Sequence, residues 1–232
     1  MAYDASSFPD VTGLTLAIIG GTGDQGRGLA YRFVRAGQRV LIGSRSAERA
    51  GQAAAEIAAL PGLPAGTEVA GMANADAAAG ADVVIIAVPW DGHGDTVAQL
   101  REPLAGKIVI DCVNPLGFDK HGPYPLPVPE GSAVQQAAAL LPESRVCAAF
   151  NHVSAPLLAD PEVDRIDLDV LICTEDREVA GVVAALAARI EGMRGIYAGR
   201  LRNAHQIEAF TANLIAINRR YKTHAGIRVT DL

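Results

Sequence analysis

Lysine is scarce in this chain. Among 232 residues only Lys107, Lys120 and Lys222 are lysines, so arginine supplies nearly all of the 20 basic side chains. That scarcity excludes a Tyr-x-x-x-Lys proton-donating pair. Cysteine is nearly as rare: Cys112, Cys147 and Cys173 each fall in or beside an apolar, strand-like run, and none has metal-ligand spacing. Buried, reduced thiols are expected, which fits a reducing cytoplasmic compartment. No apolar run approaches the ~20 residues of a membrane-spanning helix. The opening "MAYDASSFPDVTG" has neither a basic n-region nor an apolar h-region, so no signal peptide is expected. It reads as an arm, residues 1–13, flexible or docked on the surface. A net charge of −6 argues against general nucleic-acid binding. The charge is uneven, however: from Arg189 to Arg228 eight Lys or Arg face two Glu, which suggests a local anionic ligand.

The pattern that is present alternates. The apolar runs "LTLAII", "RVLIG", "DVVIIAV", "KIVIDCV" and "RVCAAF" are bounded by glycine or proline. Between them lie Ala-rich segments with helical spacing, such as "SAERAGQAAAEIAAL" and "GSAVQQAAALL". Short buried strands alternating with helices predict a doubly wound parallel α/β sheet of the Rossmann type over residues 14–150. The pattern then changes. "DLDVLICTED" reads as a strand, "REVAGVVAALAARIEG" as a helix closed by Gly192, and "GIYAG" as a short strand. A long helix follows with Ile207, Phe210, Leu214, Ile217 and Tyr221 on one apolar stripe, read as core packing with a share in a dimer contact. Residues 151–232 are therefore expected to form a small C-terminal α/β lobe. The Pro-rich "FDKHGPYPLPVPEG" reads as a loop bordering a cleft.

The stretch "LTLAIIGGTGDQGRGLAYRF" carries the first chemistry. Gly21, Gly23 and Gly26 form G-x-G-x-x-G between a strand and a helix. In that context the first glycine allows the tight turn, the second lets backbone reach a pyrophosphate, and the third lets helix pack on strand. The helix N-terminus offers free N–H groups and a positive dipole to the anion. The next strand ends in "SRSAER", without the acid that would hold a ribose 2′-hydroxyl. Ser44, Arg45 and Arg49 stand there instead and suit a 2′-phosphate. The expected nucleotide is NADP(H), with Thr22 adding a hydroxyl. In an open sheet the ligand crosses the carboxyl ends of the strands, which brings Val88, Pro89 and Trp90 of "AVPWDGH" beside it. Trp90 reads equally as ordinary packing, and His93 as a surface histidine.

Proton-transfer machinery is hard to find. No serine elbow and no His/Cys/Asp metal cluster is present, and no metal is expected. Reducing a carbonyl requires a positioned acid, whereas passing a hydride between two redox cofactors requires mainly orientation.

The motifs "GGTGDQGRGLAYRF", "GSRSAERA", "VPWDGH", "DCVNPLG", "AFNHVSAP" and "RLRNAHQIEAFT" together resemble the F420-dependent NADP reductase family, from Leu14 to the end of the chain. The resemblance implies a two-lobed enzyme passing a hydride reversibly between reduced coenzyme F420, an 8-hydroxy-5-deazaflavin, and NADP+. It implies NADP contacts from Gly21, Thr22, Gly23, Asp24, Gln25 and Gly26, with Ser44, Arg45 and Arg49 around the 2′-phosphate. Val88, Pro89 and Trp90 would lie near the nicotinamide, with Asn114 also in the cofactor site. The loop carrying Asn151, His152, Val153 and Ser154 would meet the deazaflavin, with His152 orienting rather than acting as an acid. Arg200, Arg202, Arg219, Arg220 and Lys222 would attract the phosphate and glutamate tail of F420. A cytoplasmic homodimer is expected, with no nucleic-acid or membrane partner. Two rivals stay open. One is an NADPH-dependent reductase of a small carbonyl or imine, whose proton donor would be Tyr124, His152 or Tyr197. The other is a non-enzymatic NADP(H) sensor.

Overall fold

The computed structural model describes residues 4–232. Among the described residues ten strands and nine α-helices follow one another as β1 Thr15–Ile19, α1 Asp24–Arg35, β2 Arg39–Ser44, α2 Ala47–Ala58, β3 Val69–Ala73, α3 Asn74–Ala79, β4 Val83–Ile86, α4 His93–Gln99, α5 Arg101–Leu104, β5 Ile108–Asp111, β6 Leu116–Asp119, β7 Gly122–Pro125, α6 Ala133–Leu140, β8 Arg145–Ala148, α7 Ala155–Ala159, β9 Asp169–Thr174, α8 Arg177–Ala188, β10 Arg194–Gly199 and α9 Ala204–Tyr221. Eight strands form one sheet in the order β10-β9-β8-β5-β4-β1-β2-β3. Among the described residues the only antiparallel pairing in it is β8 with β9.

β1 and β4 are short and almost wholly apolar because both of their faces are covered, the signature of a central parallel strand. One layer of core gathers Leu16, Ile18, Phe33, Ile42 and Ile85 under α1, α2 and α8. The other gathers Ile19, Val84, Ile86, Leu104 and Val134 under α3 to α6. The chain runs outward from β1 to β2 and β3, then returns to place β4 on the other side of β1. Strand order therefore reverses between β1 and β4, and a crevice opens beyond their carboxyl ends.

The sheet continues across the boundary placed near Asn151, since β9 and β10 add to β8. One expectation is corrected. The Pro-rich loop contains a two-stranded hairpin, β6 with β7, in which prolines fall at positions a free edge tolerates. The α9 stripe is not uniformly core: Ile207 and Leu214 are buried, but Phe210 is 42% and Tyr221 72% exposed. Helical spacing reports a shared face, not what covers it. Within the N-terminal arm, Met1 to Tyr3 fall outside the described residues. Beyond them Val11 is buried, and the Gln38 amide donates to the Val11 and Leu14 carbonyls.

Candidate active site

At the β1 tip the glycine motif does what its spacing suggests. A Cβ on Gly26 would lie 2.7 Å from the Gly20 carbonyl oxygen and 2.8 Å from Gly21 Cα, so only glycine lets α1 pack on the turn. Gly23 differs. It is exposed, and a Cβ there would meet only the Gly20 oxygen at 3.5 Å. Nothing in the protein requires that position to be bare. Gly23 is also the N-cap of α1, and no side chain caps the helix. Asp24 stands exposed in the first turn, and Thr22 is half-buried in the turn before it. An uncapped N-terminus with open backbone fits a phosphate.

The β2 tip supplies cations. Ser44 is buried, and its hydroxyl accepts from the Ser46 N–H at 3.3 Å. Ser46 in turn caps α2, accepting from the Arg49 N–H. Arg45 and Arg49 are exposed, and neither forms an ion pair among the described residues. Two unpaired guanidiniums beside a hydroxyl are chemically suited to a phosphate monoester.

Beyond the β4, β5 and β8 tips lies a cleft of about 900 Å³. Gln25, Val88, Pro89, Trp90, Asn114, Asn151, His152 and Val153 all line it, whereas Gly21 to Asp24, Ser44, Arg45 and Arg49 lie outside. The 151–154 loop is aimed by Phe150, a buried residue at φ +63° whose ring meets Phe33 edge-on. A non-glycine residue held left-handed costs free energy, and surrounding packing must offset it. The Gln25 amide donates to the Phe150 carbonyl at 3.2 Å, tying the glycine turn to this loop. Asn114 donates to the Asn151 carbonyl at 2.7 Å, and Asn151 donates to the Val113 carbonyl at 3.1 Å. Three buried atoms around the cleft, Asn114 Oδ1, Asn151 Oδ1 and His152 Nδ1, have no partner among the described residues. Orphaned groups of this kind are expected where a ligand completes the hydrogen bonding.

His152 is buried, and its Nε2 accepts from the Leu171 N–H at 3.2 Å. The proton of the neutral ring is thereby placed on Nδ1. Burial lowers its pKa to about 4. It is a fixed neutral donor near neutral pH and a poor proton reservoir. Of the other two candidate donors, Tyr197 lies under Arg177, 4.1 Å from its ring centre, and Tyr124 is an exposed hairpin residue; neither lines the cleft.

The family model described as NADP oxidoreductase, coenzyme F420-dependent, matches residues 15–115. The F420-dependent NADP reductase of Methanothermobacter thermautotrophicus is 42% identical over 224 residues, 94% of this chain and 96% of that protein. The F420-dependent NADP reductase of Methanocaldococcus jannaschii is 40% identical over 226 residues, again 94% of this chain and 99% of that protein. This chain belongs to the F420-dependent NADP oxidoreductase family. A crystal structure of a protein from Arthrobacter sp. FB24, assigned to the same activity without its having been established, has the same fold, with a TM-score of 0.76 and 28% identity over 94% of this chain and all of that one.

Two groups around the family's cleft were missed or misread from sequence. His93 was expected at the surface, but it is fully buried, 2.6 Å from Asp111 and stacked on Trp90. Its position at the start of α4, under Trp90, is a tertiary fact with no sequence signal. Arg32, buried on α1, donates to the Leu157, Leu158, Asp160 and Val163 carbonyls and binds the end of α7, which follows the 151–154 loop. Helical periodicity gives no hint that an arginine faces inward.

The basic segment is partly spoken for. Arg194 and Arg228 hold buried Asp169, and Arg200 lies 3.5 Å from Glu175. Arg219 and Lys222 line the cleft, and no ion pair among the described residues engages Arg202, Arg219, Arg220 or Lys222. All three cysteines are free and buried. No helix of the described residues is long and apolar enough to cross a membrane.

Proposed function

We propose that this protein transfers a hydride reversibly between reduced coenzyme F420 and NADP+. The observation that carries the reading is the junction of two features. An uncapped α1 N-terminus at Gly23, flanked by unpaired Arg45 and Arg49, leads into a cleft with three orphaned polar atoms at Asn114, Asn151 and His152. The relatives at about 40% identity are named for this activity.

In this reading the backbone of Gly21, Thr22, Gly23, Asp24, Gln25 and Gly26 receives the pyrophosphate. Ser44, Arg45 and Arg49 receive the 2′-phosphate and select NADP(H) over NAD(H). Val88, Pro89 and Trp90 border the nicotinamide, and Asn114 offers its free carbonyl oxygen to the cofactors in the cleft. Asn151, His152 and Val153 border the deazaflavin, with His152 Nδ1–H as a fixed donor. Arg219 and Lys222 at the rim attract its anionic tail. The two rings supply the redox chemistry: a C–H bond breaks at deazaflavin C5 and one forms at nicotinamide C4, with one proton released for each F420 reoxidised. The protein orients the rings and excludes water through buried Cys112, Val113 and Val153. It supplies no acid to the step, and the low pKa of His152 supports that division of labour.

The protein works in the cytoplasm, a reading its three free thiols support. It works as a homodimer, a reading supported by the exposed Phe210 and Tyr221 of α9. The test mixes purified protein, reduced F420 and NADP+ and follows deazaflavin absorbance, with NAD+ as control. Rapid reoxidation confined to NADP+ is expected. No reoxidation despite tight NADPH binding would favour the sensor, and turnover of an imine or carbonyl instead would favour that reductase.

A further inference from the structure

Beneath the cleft wall lies a buried ionisable cluster that hydride transfer does not use directly. His93 opens α4 with no solvent exposure. Its Nε2 lies 2.6 Å from Asp111 Oδ2, and its Nδ1 lies 3.0 Å from Gln136 Oε1. Asp111 is equally buried, and its second oxygen accepts from the Val113 N–H at 3.0 Å. The Gln136 amide is oriented by its own nitrogen, which donates to Glu130 at 3.4 Å. Turned the other way, it would set its oxygen against the Glu130 carboxylate. Both ring nitrogens of His93 therefore face oxygen acceptors. A neutral imidazole would point a lone pair at one of them, whereas an imidazolium satisfies both.

The ionisable groups around this ring are Asp111 from β5, Glu208 from α9 and, beyond Gln136, Glu130 in the loop before α6. Glu208 is buried, with its oxygens accepting from the Ala133 and Val134 N–H groups at the α6 N-terminus. Burial opposes charge on His93, but Asp111 and the two hydrogen bonds outweigh it and hold the imidazole pKa above its ordinary value.

The outer face of His93 stacks on Trp90, with centroids 5.5 Å apart and planes 27° apart. Trp90 follows Pro89 and lines the cleft. We infer that His93 is a positioning residue for hydride transfer: clamped as an imidazolium between Asp111 and Gln136, it presents a cationic face to the Trp90 indole and fixes that ring as a wall of the cleft. A cation against an indole face is the most favourable pairing of its kind, more so when desolvated. Asp111 extends the effect, since the carboxylate that neutralises His93 also anchors the Val113 N–H beside Asn114. One buried charge thus sets two stretches of the wall. The inference rests on the proposed function only for what the wall positions; the clamp itself is a property of the protein alone.

The test uses the fact that Trp90 is the single tryptophan. Its emission, excited selectively, reports this pair, because an imidazolium quenches an indole and a neutral imidazole does so far less. The free protein, isotope-labelled at histidine, is expected to show both His93 ring nitrogens protonated at neutral pH. Asp111→Asn keeps the shape but removes the counter-charge. Trp90 emission should then brighten at neutral pH, and its pH midpoint should move from above the ordinary 6.5 to below it. Hydride transfer in the same variant should lose about tenfold or more in kcat through misplacement of the wall, while KM for NADP+ moves far less. Gln136→Leu, a half-buried change on α6 outside the ion pair, should shift emission and kcat in the same directions by less. It decides the matter if Asp111→Asn does not fold. A neutral His93 in the native protein, or emission and kcat unchanged in the folded variants, would overturn the inference. Emission and nitrogen spectra as expected, with no F420 turnover in the native protein, would uphold the clamp and defeat the proposed reaction instead.

Discussion

Gly23 and Gly26 lie three residues apart in one motif, yet their substitution by alanine is expected to do opposite things. At Gly23 the backbone is at φ −85°, ψ 165°, which any L-residue adopts, and the new methyl would meet only the Gly20 oxygen at 3.5 Å. Restricting the unfolded chain favours alanine by about 0.4–1 kcal/mol. Alanine is a poorer N-cap than glycine by a comparable amount. The folded protein should therefore keep its stability to within about 0.5 kcal/mol. In the proposed binding mode the methyl nevertheless occupies the space through which a pyrophosphate would reach the α1 N–H groups. Losing one charge-assisted hydrogen bond of about 1.5–3 kcal/mol weakens binding roughly 10- to 150-fold. At Gly26 the methyl would fall within 2.8 Å of two backbone atoms, and backbone cannot step aside as a side chain can. That overpacking costs about 1–3 kcal/mol of stability. Urea unfolding and calorimetric titration with NADP+ read both quantities. A Gly23→Ala protein that binds NADP+ as the native protein does, or that is destabilised as Gly26→Ala is, would refute the account of the turn.

Arg45→Ala and Arg49→Ala should each lower kcat/KM for NADP+ by about 10- to 100-fold and leave the low activity with NAD+ unchanged; equal losses with both nucleotides would remove the 2′-phosphate assignment. Arg32→Met strands four carbonyls, of which that of Leu158 is buried. It should cost about 3 kcal/mol in urea unfolding, with faster amide exchange across residues 150–163; a cost below about 1 kcal/mol would show that water replaces the arginine without loss. His152 is neutral in the fold down to about pH 4, while its unfolded form takes up a proton below 6.5. Between those values the unfolded state binds more protons, so this group removes stability as pH falls, by about 3 kcal/mol over the whole window. His152→Phe should flatten that acid limb in unfolding measured at several pH values, and an unchanged limb would contradict the buried neutral ring.

The alternation of apolar runs and Ala-rich segments was enough to place the parallel sheet, because buried strands and their covering helices leave opposite periodicities. The glycine turn was legible because it is local: three glycines in six residues, Gly21 to Gly26, encode their own geometry. The cleft was less so. Val88, Pro89 and Trp90 could be placed through the topology of open sheets, and Asn151, His152 and Val153 through resemblance. The Asn114–Asn151 link, the clamp on His93 and the arginine staple at Arg32 join residues 18 to 131 positions apart. No pattern within one segment announces such pairs. Which members of the α9 stripe are buried was not legible for a related reason, since helical spacing groups Phe210 and Tyr221 with Ile207 and Leu214 without saying which of them face protein. β3 escaped because "VAGMA" has little β-branched character, and its place depends on Gly71 letting α2 lie against the strand.

Direct transfer between two rings, with the protein as orienting frame, is the core of this account. Reduced F420 carrying two deuterium atoms at C5 should be mixed with NADP+ and the protein in ordinary water, and the NADPH analysed by mass spectrometry. Deuterium retained in the nicotinamide is the expected result. NADPH formed without deuterium, or no NADPH at all, would contradict it.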